Sequence, residues 1–169
     1  MRVEPVTAAG LPALLPSIAD YQRFYGNDAP DDAHNAAFFG HFVTGGDRGL
    51  LLAAYDDETA GETAQPAGYA CLYWTYSSIS ATEVVLLNDL YVRPESRGAG
   101  VGEALVAAAR EIAARRGCSH LRWVTTLDNR RAQRLYERLG ADRVALFEYE
   151  FDLRAGGLEP PASITPGDR

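Results

Sequence analysis

The segment "NDLYVRPESRGAGVGEAL", residues Asn88 to Leu105, decides the fold that the sequence predicts. The residues just before it, "VVLL", are all apolar, as in a central strand that is buried on both faces. Asn88 and Asp89 interrupt that strand, and buried polar side chains are costly unless they find hydrogen-bonding partners. The chain then breaks at Pro94 and passes through an arginine and three spaced glycines into an Ala-rich segment. We therefore expect the chemistry of the protein to lie in this segment.

Composition restricts the class of protein. A chain of 169 residues suffices for one domain with a sizeable core. Its formal charge of -7, with basic residues that are scattered, disfavours nucleic acid and anionic membranes and favours cationic small molecules. Cys71 and Cys118 lack CxxC spacing, and no apolar run has the length of a signal or a membrane span. The sequence thus predicts a cytoplasmic protein, without a metal because His34, His41 and His120 lack further ligand residues nearby.

Hydrophobic periodicity predicts one α+β domain, residues 1–154, with the order β-α-α-β-β-β-α-β-α-β and helices on both faces of one sheet. The two longest helices are expected at about 11–25 and 101–116, and the central strand at 83–92. A later strand is expected at "HLRWVTTL", then a helix capped by Asp128 or Asn129. A last strand is expected at "RVALFEYEFDL", which alternates strictly. The Gly- and Pro-rich tail, 155–169, is expected to be disordered.

The glycine-rich turn "RGAGVG" joins the end of a strand to the start of a helix, where free backbone N–H groups can bind phosphate. A P-loop is absent, and the dinucleotide pattern fails because Glu103 stands in place of its last glycine. What remains is Arg97-x-x-Gly100-x-Gly102. A purely structural turn is the alternative at this point.

Two segments resemble a known family. "LNDLYVRPESRGAGVGEALVAAARE" is similar to the pyrophosphate-binding segment of the GCN5-related N-acetyltransferase (GNAT) superfamily, and "DNRRAQRLYERLGA" is similar to its later helix motif. The resemblance covers about residues 1–153 and implies a mostly antiparallel central sheet. Within the superfamily, "YWTYSS", "LLNDLYV" and the position of Tyr136 resemble the diamine (spermidine/spermine) acetyltransferases. Asn88-Asp89 stands where that family has Glu-Asp, which removes a carboxylate that would hold a cationic nitrogen.

The resemblance implies acetyl-coenzyme A as co-substrate. Arg97 and backbone groups would hold its pyrophosphate, the backbone groups being those of Gly98, Ala99, Gly100, Val101, Gly102 and Glu103. Main-chain groups of Leu90, Tyr91 and Val92 would pair with the pantetheine, although ordinary sheet hydrogen bonds are the alternative. Asn129 and Ala132, at the start of the later helix, would also contact the cofactor.

For catalysis, the resemblance makes Tyr136 the proton donor to the leaving thiolate. The alternative is a purely structural role as a core aromatic residue. Asn88 or Asp89, through a water, is the candidate for removing a proton from the amine. Strand alternation places these two on opposite faces, so only one is expected to line the cleft, and the resemblance favours Asn88. Asp89 would then be a structural hydrogen-bond partner.

The acceptor pocket is expected between the end of the first helix and the third strand, because aromatic faces and acids attract a cation. Its candidate residues are Tyr21, Phe24, Tyr25, Asp28, Trp74 and Tyr76. The predicted activity is acetyl transfer to a primary amine of a small molecule by direct attack in a ternary complex. A protein lysine or N-terminal acetyltransferase and a non-catalytic acyl-CoA-binding sensor are the alternatives. The resemblance also allows a homodimer.

Overall fold

The computed structural model describes residues 1–56, 65–149 and 151. In these ranges the strands are β1 (Arg2–Pro5), β2 (Gly49–Tyr55), β3 (Gly68–Ser77), β4 (Thr82–Val92) and β5 (Leu121–Arg122). The α-helices are α1 (Leu11–Phe24), α2 (Asp32–Phe39), α3 (Val101–Arg115) and α4 (Arg130–Arg138). The tail predicted to be disordered, 155–169, and most of the acidic loop before β3 lie outside the described residues.

The strands form one sheet in the order β1-β2-β3-β4-β5. Every neighbouring pair is antiparallel except β4 and β5, which are parallel and are connected through α3. This arrangement confirms the predicted mixed α/β class with a mostly antiparallel sheet.

Two apolar clusters cover the two faces of the sheet, and strand alternation assigns residues to them. Leu51 and Ala53 of β2 belong to the cluster with α1 and α2, whereas Leu52 and Ala54 belong to the cluster with α3. The first cluster includes Leu11, Leu14, Ile18, Phe39, Phe42, Tyr69 and Cys71. The second includes Ala70, Leu72, Val85, Leu87, Val101, Leu105 and Ala109. The helices therefore lie on opposite faces, as predicted.

A one-residue β-bulge interrupts β4 at Asn88. Opposite it, Cys71 pairs with Asp89 and Leu72 pairs with Leu87, so Asn88 has no partner residue on β3. A bulge of this kind bends the strand and increases its twist. β5 pairs with β4 only at Val85 and Leu86, before the bulge.

Beyond the bulge, one edge of β4 faces away from β3 without pairing to a described strand. Arg93 N–H donates to Ala67 O, on the β3 side, at 3.0 Å, which is a distance typical of a β-sheet. Because successive residues direct their backbone groups to opposite edges, Tyr91 also faces β3, while Leu90 and Val92 face the open edge. Of the three residues predicted to meet pantetheine, Leu90 and Val92 therefore direct backbone groups to the open edge, where Val92 O accepts from Arg97 Nε, and Tyr91 is used in the sheet.

The predicted last strand is not formed in the described residues. Residues 141–149 lie outside any helix or strand, and β5 is limited to two residues instead of "HLRWVTTL". Apolar side chains of this segment are 74% to 91% exposed, namely those of Val144, Leu146, Phe147, Tyr149 and Phe151. The prediction was wrong here because alternation of apolar and polar residues shows that a segment can form a strand but does not provide a neighbouring strand to pair with.

We predict that Gly68→Ala destabilises the protein at the start of β3. A Cβ at this position would lie 2.5 Å from Tyr91 O and 3.0 Å from Val101 Cγ1. Both β4 and α3 would therefore have to move away from β3. Overpacking of this kind costs about 1–3 kcal/mol. Denaturant unfolding would measure the loss.

Gly40→Ala is the matched control, because a Cβ there meets nothing within 4 Å and the backbone φ of -56° is open to any residue. Equal free energies of unfolding for Gly68→Ala and Gly40→Ala would contradict the packing described for β3.

Candidate active site

A cavity of about 300 Å³ opens between the C-terminal end of α1 and the bulge of β4. Its walls come from α1, from the turn after it and from β4. The lining residues are Tyr21, Gln22, Tyr25, Asn27, Asn88 and Asp89.

Asp89 is the buried acid of this cavity, with 7% of its surface exposed. Asn88 Nδ2 donates to Asp89 Oδ1 at 3.0 Å, and Tyr21 also hydrogen bonds to the carboxylate. Burial raises the pKa of Asp89 to about 6, while these two hydrogen bonds act in the opposite direction. The carboxylate is therefore ionised at neutral pH and stays close to its titration range.

The prediction that only one of Asn88 and Asp89 lines the cleft was wrong. Both residues border the cavity, because the bulge at Asn88 breaks the alternation on which that prediction depended. Asn88 Nδ2 also lies 3.2 Å from Tyr73 Oη, to which it donates. Asn88 thus links the carboxylate to a phenol of β3.

Three tyrosines converge on this region. The rings of Tyr21 and Tyr25 are 4.9 Å apart between centroids, and Tyr136 of α4 interacts electrostatically with both. Burial, followed by the neighbouring Tyr25, raises the pKa of Tyr136 to about 12. The Tyr136 ring packs edge-on against Trp123 at 5.1 Å between centroids. Tyr136 therefore keeps its proton at neutral pH and lies near the end of α1.

Of the residues predicted for the acceptor pocket, Tyr21 and Tyr25 line this cavity, whereas Trp74 and Tyr76 of β3 do not. Trp74 packs in the α3 cluster, with Arg116 Cζ 4.1 Å from its ring centroid, so it lies on the other face of the sheet. Tyr76 is 80% exposed near the end of β3 and is absent from the lining of the cavity.

Sequence reasoning missed Gln22, Asn27 and Tyr73. The signal for Tyr73 was available, because residues 69, 71 and 73 alternate onto the α1 face while 74 does not. Asp28 is exposed and does not line the cavity, and Phe24 borders a second one.

The glycine-rich turn has the backbone geometry that glycine alone adopts readily. Gly98 and Gly100 have φ of 93° and 84°, and α3 begins after Gly100 without a side-chain cap. A Cβ at either glycine would meet nothing within 4 Å, so no described atom covers the turn. Gly102 differs, since a Cβ there would lie 3.1 Å from Leu135 Cδ2. Two glycines thus leave the turn open to an anion, and the third allows α4 to pack closely.

The other residues predicted to bind the cofactor have varied surroundings. Arg97 Nε donates to Val92 O at 3.1 Å, which fixes this side chain beside the open edge of β4. Ala99 is exposed, whereas the Val101 side chain is buried in the α3 cluster. Glu103 forms an ion pair with Arg138 at 3.2 Å. These side chains leave the backbone of the turn as the group that can meet a phosphate.

Asn129 caps α4, as predicted, and its Oδ1 accepts from Ala132 N–H at 3.2 Å. The Ala132 N–H is therefore used inside the protein. A second cavity of about 300 Å³ lies at this helix start, lined by Phe24, Thr126, Asp128, Asn129, Arg130 and Arg131. Its two arginines lie within the later helix motif but were not predicted as site residues.

The described ranges contain no group of three or more His, Cys, Asp or Glu residues that could hold a metal ion. No helix in them is long and apolar enough to cross a membrane.

The chain belongs to the acetyltransferase (GNAT) family, whose sequence profile matches residues 13–141. This match contains the cavity, the bulge, the glycine-rich turn and α4. The protein is an N-acetyltransferase of this family.

Relatives agree with this assignment. The uncharacterized N-acetyltransferase YhfO of Bacillus subtilis (strain 168) is 31% identical over 140 residues, which are 83% of this chain and 89% of YhfO. The thialysine N-epsilon-acetyltransferase of Bos taurus is 40% identical over 83 residues, about half of each protein at 48%. A solved structure described as a "probable acetyltransferase" superposes with a TM-score of 0.78 at 27% identity, covering 90% of this chain and 98% of the other.

We predict that Asp89→Asn changes how stability depends on pH. The folded pKa of about 6 lies above the ordinary 3.8, so between these values the unfolded chain releases its proton while the folded protein keeps it. The contribution of Asp89 to stability is fully present below pH 3.8 and is lost as the pH rises to about 6. The loss is about 3 kcal/mol.

Denaturant unfolding of both proteins at several values between pH 4 and pH 8 would measure this effect. Other carboxyl groups titrate in both proteins and cancel in the difference. The variant is expected to gain stability relative to the wild type as the pH rises, and parallel curves would contradict the burial of an ionised Asp89.

Proposed function

We propose that this protein transfers the acetyl group of acetyl-coenzyme A to a primary amine of a small molecule by direct attack in a ternary complex. The observation that carries the proposal is the buried Asp89 carboxylate, which lines a cavity beside the open edge of β4. An amine placed at this carboxylate would lie next to backbone groups suited to orient an extended co-substrate.

The residues around the glycine-rich turn fit coenzyme A. Acetyl-coenzyme A supplies the acetyl group as an activated thioester. The uncapped backbone N–H groups between Gly98 and Glu103, together with Arg97, would hold its pyrophosphate. Leu90 and Val92 offer main-chain groups at the open strand edge, and Arg130 and Arg131 add positive charge at the second cavity.

Asp89 would bind and deprotonate the amine. An alkyl amine has a pKa of about 10.4 and arrives protonated, so it is attracted to a carboxylate that is ionised above about pH 6. Asn88 and Tyr21 hold this carboxylate by neutral hydrogen bonds, which orient it and leave its negative charge available. Asp89 would take a proton from the ammonium group, directly or through a water, before attack, because only the neutral amine has the lone pair that attack requires. After attack the nitrogen loses its second proton to water.

Tyr136 would supply a proton at the leaving sulfur. Its raised pKa keeps Oη protonated over the whole neutral range, and packing against Trp123 fixes its ring. Proton donation by a positioned side chain contributes about 10²- to 10⁴-fold to rate.

The size of the cavity and the name of one relative support a small acceptor, and the free thiols support a cytoplasmic setting. The cavity of about 300 Å³ has the size of small-ligand pockets. Thialysine N-epsilon-acetyltransferase, to which half of the chain is similar, has a small amine as the substrate in its name. Cys71 and Cys118 are both free thiols, as expected in a reducing compartment.

Thiol release from acetyl-coenzyme A in the presence of spermidine, lysine, thialysine or an aminoglycoside tests the proposal. We predict turnover with at least one amine, and a kcat that falls by about 10²- to 10⁴-fold in Tyr136→Phe, because the leaving sulfur then lacks its proton donor.

Tyr76→Phe is the matched control, since this tyrosine is 80% exposed and lies outside both cavities. Equal activity of Tyr136→Phe and the wild type would reject the role of Tyr136. Binding of acetyl-coenzyme A without turnover of any amine would reject a small-molecule transferase in favour of a protein acceptor or a non-catalytic sensor.

We also propose that two copies of the chain associate through the segment formed by residues 144–149 and 151. Its apolar side chains are exposed, and contiguous exposed apolar surface is typical of protein interfaces. The segment keeps the alternation of a strand but has no partner strand among the described residues, and a second copy would supply one.

Sedimentation equilibrium tests this association. The wild type is expected to be a dimer and Leu146→Glu to shift to monomer, because a charge would be buried in the apolar contact. Ile79→Glu is the control, as Ile79 is 99% exposed in the turn between β3 and β4. A monomeric wild type would contradict the proposal.

A further inference from the structure

The cavity beside Asp89 has an unusual charge composition for an amine site. Among the described residues that line it, Asp89 is the one carboxylate and none is a lysine or an arginine. The other five lining residues are neutral hydrogen-bonding groups, namely Tyr21, Gln22, Tyr25, Asn27 and Asn88. The part of an acceptor that extends away from its reacting nitrogen therefore meets neutral polar groups.

A second ammonium group on the acceptor would find no carboxylate other than Asp89 among the described residues that line this cavity. Asp89 can neutralise one ammonium group, and a buried charge without an opposite charge is costly. Of the acids nearby in sequence, Asp20 is exposed and paired with Arg23 at 2.9 Å, and Asp28 is exposed and does not line the cavity. A diamine would thus lose hydration at its second nitrogen without compensation.

A carboxylate on the acceptor meets the opposite difficulty. It would lie near the negative charge of Asp89 in a cavity whose lining residues include no cation. Like charges at short range destabilise each other, so amino acids are also disfavoured.

The neutral groups are held in fixed positions. Gln22 Nε2 donates to Asn35 Oδ1 at 2.8 Å, and Asn35 Nδ2 donates back to Gln22 Oε1 at 2.9 Å. Asn35 lies on α2 and is 2% exposed, so this reciprocal pair of hydrogen bonds fixes the Gln22 amide to a buried side chain. An amide has two N–H donors and two acceptor lone pairs, so Gln22 keeps one of each for a ligand.

Asn27 and Tyr25 extend this surface. Asn27 Oδ1 accepts from Ala29 N–H at 3.3 Å, which fixes the orientation of the amide and leaves its amino group as a donor. Tyr25 contributes a hydroxyl that can donate or accept. Hydroxyl groups match such a surface because each can donate and accept a hydrogen bond.

We infer that the acceptor carries one cationic nitrogen and that the rest of the molecule is neutral and hydroxylated, as in an amino alcohol or an amino sugar. This inference rests on the proposed function, because it assigns the acceptor of the same site. Gln22, Asn27 and Tyr25 select the hydroxylated part, and Asn35 is a positioning residue that acts through Gln22.

Four three-carbon amines that differ only in the rest of the molecule provide the test. They are 3-amino-1,2-propanediol, 1,3-diaminopropane, β-alanine and propylamine, and thiol release from acetyl-coenzyme A gives kcat/KM for each. After correction for the fraction of neutral amine, the aminodiol is expected to exceed each of the others by about tenfold or more, since a site built for hydroxyls discriminates strongly against their loss. A diamine or β-alanine that equals or exceeds the aminodiol would overturn the inference.

Calorimetric binding of the same four compounds keeps this test separate from the proposed function. Preferred binding of the aminodiol supports the inference even when no turnover is detected. The lack of turnover would then count only against the proposed transferase activity. Binding of the diamine as tight as that of the aminodiol, or no binding of any of the four compounds, overturns the inference. Turnover of the diamine would still support the proposed transferase activity.

Gln22→Glu offers a gain-of-function test at the same position. The variant adds a second carboxylate of nearly the same shape, so the ratio of kcat/KM for the diamine over the aminodiol is expected to rise by about tenfold. Gln22→Leu is expected to remove the preference for the aminodiol over propylamine by raising KM, with thermal unfolding to verify the fold. Unchanged ratios in both variants would show that Gln22 does not select the acceptor.

Discussion

The active site depends on a single unpaired residue in β4. Without the bulge at Asn88, Asp89 and Asn88 would point to opposite faces of the sheet, and the carboxylate would lack the amide that holds it. The same bulge coincides with the point where β5 stops following β4. One local irregularity therefore accounts both for the acid in the cavity between α1 and β4 and for the free strand edge beside it.

The surroundings of Asp89 explain why an isolated charge is kept within an apolar cluster. Its neighbours Tyr69 and Cys71 are fully buried, and the Tyr69 hydroxyl has no hydrogen-bond partner among the described residues. Only neutral groups, Asn88 and Tyr21, stabilise the carboxylate. An arginine would stabilise the fold better but would cancel the charge. The buried anion lowers the stability of the fold, as is common at functional sites, and in the proposed reaction it would attract a cationic substrate.

The sequence allowed prediction of those features that depend on neighbouring residues in the chain. The Asn129 cap and the start of α3 directly after the glycine-rich turn follow from local rules, and the structure has them. The bulge could not be foreseen, since it is defined by the pairing of β4 with residues 71 and 72 of another strand. The last predicted strand failed for the same reason. Trp74 and Tyr76 were misplaced by counting aromatic residues without assigning them to faces, although alternation along β3 contained that information.

The weak burial of α4 has a consequence for turnover. This helix carries Asn129 and Tyr136, yet none of its residues is fully buried, and its contacts with α3 include the Glu103–Arg138 ion pair and the packing of Leu135 on Gly102. Elements with little buried surface unfold locally at a lower free energy than the sheet. Local unfolding of α4 would leave α1 and β4 in place, and in the proposed reaction it would let coenzyme A leave without disrupting the cavity beside Asp89.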